Sequence, residues 1–180
     1  MAEIKSTLEL ALERTKSVSI SQEEKEEIKR KEIAQKATGL FHRYMDESLS
    51  VSELMREIER LEEKARPRVR DALLSRWVAA ISLEAENEKL LRGIESLKGR
   101  SVDAVKRKLD VLCSEYVEEV FAAEQHVKGQ LLEILKKEGI HGTAVVPRFR
   151  QSREWKERIE SVAEGFHGKI DECKEALKNL

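Results

Sequence analysis

Proline, glycine, cysteine and aromatic residues are all scarce in this sequence, and each shortage removes a class of protein. Two prolines and eight glycines in 180 residues leave few turns, which excludes a sheet protein of many short strands. The two cysteines, Cys113 and Cys173, lie in no ligand-like spacing and read as reduced core thiols, since disulfide scaffolds are Cys-dense. No apolar run approaches the ~20 residues of a membrane-crossing helix. The charged opening, with Glu3, Lys5, Glu9 and Glu13, fits no secretory signal, so the expected location is cytoplasmic. Charge of one sign is missing as well. With 34 basic and 35 acidic side chains, a net −1 supplies no overall field for nucleic acid or an anionic membrane, and any such partner needs a local patch.

What is there is charge of both signs (38%) and apolar residues (40%) recurring at helical spacing. This predicts an all-α protein: an elongated antiparallel bundle of long, coiled-coil-like helical hairpins, with one short extended segment at 140–149. The chain reads as a single domain, 1–180, in which 1–66 is the candidate for a more mobile arm and 67–180 forms a hairpin plus a C-terminal helix. Ile4, Leu8, Ala11 and Leu12 give a first short helix ending near Lys16. Ser21 with Glu24, and Ser50 with Glu53, are capping boxes that open the next two. Pro67 belongs in the first turn of another. From Val69 a stripe through Trp77, Ile81, Leu90 and Ile94 predicts one long helix closed by Gly99. Ser101 caps a longer one with Val105, Leu109, Leu112, Tyr116, Val120, Val127 and Ile134 on its face, ended by Gly139. Ser152 opens the last, striped by Trp155, Ile159, Val162, Phe166, Ile170, Cys173 and Leu177.

The tight turn at Gly99 makes its flanking helices antiparallel. Reflection about it sets Leu90 and Leu91 beside Val105 to Leu109. It also sets Trp77, buried, beside Val120, Phe121 or Glu124.

Candidate chemistry is thin. Glu164 and His167, three apart on one helix face, resemble half of a bundle-core di-iron pair, but no second Glu-x-x-His accompanies them. The ordinary reading is a surface Glu and His beside a core Phe166, and no metal or other cofactor is expected. There is no phosphate loop or nucleophile elbow, and none of the four histidines, of which His141 lies in the irregular segment, has a catalytic partner at a predictive spacing. Three basic clusters stand near turns: Lys64 to Arg70, Lys98 to Lys108, and Arg148 to Arg153, the last interleaved with Phe149 and Trp155. They suggest phosphate pairing and base stacking, although solvated turn charge is the commoner meaning.

Gly139 to Pro147 carries no charged residue, and a lone strand cannot satisfy its own backbone. It must cross the bundle as a covering loop, pair with a stretch such as Val18–Ile20, or pair with another chain. Residues 22–36 are too charged to bury deeply and leave Ile28 and Ile33 as a thin stripe in need of a surface.

The opening Met-Ala-Glu-Ile-Lys-Ser-Thr-Leu-Glu-Leu-Ala-Leu-Glu-Arg-Thr and the Gly-x-x-Gly-Thr-Ala-Val-Val-Pro piece resemble a family of uncharacterised bacterial helical proteins. The resemblance implies a bacterial cytosolic source and supplies no activity and no functional residues.

The function expected is that of a noncatalytic helical interaction protein, a scaffold or adaptor that self-associates. Its partner would be a homodimer mate or another protein, met through Ile28, Ile33, Thr143, Val145, Val146, Phe149 and Trp155. The alternatives are a nucleic-acid or phosphate-ligand binder using the basic clusters, and a helical-bundle metalloprotein or enzyme using Glu164 and His167.

Overall fold

The computed structural model describes residues 21–140, 142 and 145–180, and among these every regular element is helical. α1 spans Gln22–Met45, α2 Val51–Glu59, α3 Arg66–Ala80, α4 Asn87–Lys98, α5 Asp103–Lys137 and α6 Arg153–Asn179, with a 3-10 turn at Phe149–Gln151 leading into α6. The all-α expectation holds. The helix read over 4–16 and the Val18–Ile20 stretch lie outside the described residues.

Local chemistry sets the ends. Both capping boxes close: the Ser21 hydroxyl accepts the Glu24 N–H at 3.1 Å while Glu24 accepts the Ser21 N–H at 2.7 Å, and Ser50 and Glu53 repeat the exchange. Ser152 accepts the Trp155 N–H at 3.1 Å to start α6. Ser101 acts just outside its helix, accepting the Asp103 N–H at 3.2 Å. Gly99 and Gly139 end α4 and α5 with φ of +63° and +81°, a region that costs any side chain with a Cβ. After Gly139 the Ile140 N–H reaches back to the Leu135 carbonyl at 2.9 Å, the six-to-one bond of a Schellman close.

The helix expected to run unbroken from Val69 to Leu97 is two helices. Ile81 turns extended (ψ 127°), and 81–86 form an irregular loop. No proline or glycine causes this. Asn87 does: its side chain accepts the Ser82 N–H at 3.2 Å and donates to the Ser82 carbonyl at 2.8 Å, replacing the helical ladder with a closed loop. Tyr116 of α5 then donates to the Glu84 carboxylate at 3.0 Å and holds the loop down.

The break shortens the Gly99 hairpin. Side chains still link α4 to α5 in the expected register, with Glu88 against Lys106 (3.6 Å) and the Asn87 amide against Cys113 Sγ (3.8 Å). The pairing stops at Glu84 and Tyr116. α3 turns away and becomes the central helix, its Val69, Leu73, Trp77 and Val78 enclosed by α1, α4 and α6. Trp77 is buried as expected, at 1% exposure, but against different neighbours. Its ring lies 5.3 Å from that of Tyr44 on α1 and on the bare backbone of Gly93 on α4, where a Cβ would come within 2.8 Å of the indole. Val120, Phe121 and Glu124 are not its partners, because the chain has left α5 before reaching Trp77.

The long hairpin is instead α5 with α6, joined through 138–152. α5 has 35 residues, about 52 Å at 1.5 Å per residue. Its buried stripe of Leu109, Leu112, Tyr116, Ala123 and Val127 meets Val162, Phe166, Ile170, Cys173 and Leu177 of α6, with Tyr116 edge-on to Phe166 at 5.5 Å. Lys98 and Arg100, beside the Gly99 turn, donate to the carbonyls of Lys178 and Leu180, satisfying the open end of α6 and its negative dipole pole.

Candidate interaction surface

α5 carries a second face that α6 does not reach. Asp110, Ser114, Val117, Phe121, Glu124 and Lys128 follow one another in alternating steps of four and three, the heptad spacing that keeps a line of side chains facing one way. Near the middle of this seam Val117 and Phe121 lie one turn apart, 62% and 63% exposed, with half-buried Val120 beside them. A pair of large apolar side chains this open on one helix face is a feature that asks for a partner.

The helix break explains why the face is open. Extending the α4–α5 register would bring Leu83, Ala80 and Ala79 over Val117, Val120 and Phe121. The loop at 81–86 diverts the chain just there. At the far end of the seam Glu124 binds Lys128 and lies 3.7 Å from Arg150, while Lys128 and Arg150 both lie over the ring of Phe149. Lys128 and Arg150 hold the Glu124 carboxyl below the usual carboxylate range, so this end of the seam carries two cations and one anion.

The residues expected from the sequence to make contacts are scattered. Ile28 is exposed on the charged half of α1, whereas Ile33 is half-buried against the core. Phe149 is buried, packed edge-on to half-buried Trp155 at 5.1 Å, and so serves the α5–α6 connection. Val145 is half-buried and Val146 is 80% exposed, in a stretch that is neither helix nor strand over 145–148; Thr143 lies outside the described residues. Sequence reasoning missed Val117. Phe121 it assigned to the Trp77 contact. The signal was there: two large apolar side chains standing off the main stripe of α5, on a heptad line of their own.

Catalytic geometry is sparse. Burial, then the charge of Asp110, pushes the Cys113 thiol up, and burial does the same to Cys173; both stay protonated near neutrality and are poor nucleophiles. Glu164 and His167 are both exposed on α6, and among the described residues no three His, Cys, Asp or Glu side chains gather as a metal would require. The basic clusters are partly used within the chain, Arg66 on the Leu61 carbonyl (2.9 Å), Lys98 and Arg100 on α6, and Arg153 on Glu157 (2.6 Å). A cleft of about 900 Å³ between the α1–α2 connection, the start of α4 and α5 has Lys89, Arg92 and Lys106 facing Glu47, Glu53, Glu86, Glu88 and Asp110, a lining with more acid than base that offers no site for an anionic ligand. No described helix is long and apolar enough to cross a membrane.

Compared with protein-family models, with curated proteins and with solved structures, the chain matches none. The likeness drawn from residues 1–15 and 139–147 therefore assigns it to no family.

Proposed function

We propose that this protein is a noncatalytic helical interaction protein, of scaffold or adaptor type, which engages its partner through the Val117–Phe121 face of α5. The observation that carries the reading is the exposure of those two side chains in the middle of a heptad seam, on a helix whose opposite stripe is buried from Val105 to Val127. Burying what remains exposed of them is worth about 1–2 kcal/mol per side chain, a gain that the described fold leaves unclaimed. The α5–α6 hairpin beneath supplies a rigid support, as an interaction surface needs.

The test places a photoreactive p-benzoylphenylalanine at position 121, and in a control at exposed position 160 of α6, and irradiates each protein in a lysate of its source. A discrete adduct from position 121 and none from position 160 is the expected result. Absence of an adduct from position 121 contradicts the reading.

A further inference from the structure

We propose that the partner of the α5 seam is the same seam of a second copy of this chain, laid antiparallel about a twofold axis level with residue 119. The proposal rests on the α5 face being an interaction surface and adds the identity of what binds it. The warrant is that the seam is complementary to its own reverse. Turned about residue 119, Val117 falls opposite Phe121 of the second copy, and Phe121 opposite Val117, so four apolar side chains close over one another at the centre. Ser114 falls opposite Glu124, as donor to acceptor. Asp110 falls opposite Lys128, and because Glu124, Lys128 and Arg150 together carry one net positive charge, each end of the contact joins opposite signs. All six seam residues are exposed or half-buried.

The same reasoning fixes the orientation. A parallel pairing in register sets Asp110 on Asp110, Glu124 on Glu124 and Lys128 on Lys128, three like-charge contacts that disfavour it. A twofold contact is also the form in which one patch serves both copies and closes the assembly at two. From 110 to 128 the seam is about 27 Å long at 1.5 Å per residue. One helix laid on one helix over that length falls short of the ~1,200 Å² of a stable complex, so the dimer is concentration-dependent.

Charge reversal tests this pairing on the full-length protein. In Asp110→Lys, two copies place Lys opposite Lys128; in Lys128→Asp, two copies place Asp opposite Asp110. Each variant alone should sediment as a monomer at concentrations where the wild type dimerises. An equimolar mixture restores both opposite-sign pairs and should sediment as a heterodimer. No recovery on mixing overturns the proposal, and so does a wild type that stays monomeric at every concentration.

Lys128→Asp also removes the partner of Glu124 within the chain, so a second measurement stands apart from it. The position-121 photoprobe, irradiated as purified protein, should give an adduct of twice the chain mass joined to the peptide containing Val117 of the other copy. A lysate adduct to a different protein, with no doubled-mass product, overturns the second-copy proposal while sustaining the interaction reading. Absence of any adduct overturns both.

Discussion

The two halves of α5 share one sequence pattern and meet different fates. Residues 103–116 are covered by α6 on one side and by α4 with the 81–86 loop on another. Residues 117–127 keep α6 but lose the cover of α4 and its loop, because α3 has turned toward α1. The apolar stripe facing α6 runs through both halves, yet Val117 and Phe121 stand open just beyond the last contact of the first half, the Tyr116–Glu84 bond. What leaves a surface open in this protein is thus the route of a neighbouring helix, decided some thirty residues away by Ser82 and Asn87.

If that is right, substitutions in the enclosed region unfold the protein and substitutions on the open face do not. The largest effect belongs to Trp77, which anchors α3 to Tyr44 and Gly93: Trp77→Ala should cost about 3–5 kcal/mol in denaturant unfolding. Trp77→Phe should cost less. It leaves a smaller cavity and removes an indole N–H that has no acceptor among the described residues. Leu109→Ala, in the covered half of α5 at 1% exposure, belongs to the same class at about 2–5 kcal/mol.

Gly93→Ala comes next. A helix-interior glycine normally gains stability on becoming alanine, but here the added methyl would sit 2.8 Å from the indole. A loss of about 1–3 kcal/mol is expected. A gain would show that Trp77 is not seated there. Asn87→Ala should cost about 1–2 kcal/mol through its two bonds to Ser82, and faster amide exchange at 81–86 would report the loosened loop.

Acid sharpens the comparison at the surface. Glu53, Glu88 and Glu124 are held below the usual carboxylate range by, in turn, the Ser50 hydrogen bonds, Arg92 and Lys128. Their folded-state values lie under the unfolded one, so their contribution is complete above about pH 4.3 and is lost as pH falls through the lower, folded values. Melting temperature should hold near neutrality and drop below that point, and Glu53→Gln should flatten the drop. Smallest of all is Phe121→Ala: with a side chain 63% exposed, it should change monomer stability by no more than about 0.5 kcal/mol.

The sequence was most informative where a single local rule decides. Capping boxes, glycine closes and the stripes of α5 and α6 all follow from spacing, and each is where spacing put it except the end of the α5 stripe, where Ile134 is 52% exposed because the α6 helix begins only at Arg153. Trp77 was legible as buried because its stripe is apolar, but its neighbours depended on a break that Ser82 and Asn87 impose without proline or glycine, so periodicity ran straight through it. The seam on α5 suffered from the same continuity. A helix assumed to run unbroken back to Val69 set Phe121 among the possible neighbours of Trp77, and Val117, off the main stripe, drew no notice. Phe149 and Trp155 illustrate the converse: interleaved with Arg148, Arg150 and Arg153 they suggested a surface for a partner, and their rings pack edge-on to each other within their own bundle.

The most direct test of the open α5 face is sedimentation of the wild type and Phe121→Glu across a wide concentration range, with melting temperatures measured in parallel. The account predicts a wild type whose sedimentation coefficient rises with concentration, and a variant that remains monomeric with an unchanged melting temperature. Identical sedimentation of the two, or a variant that has lost its fold, would contradict it.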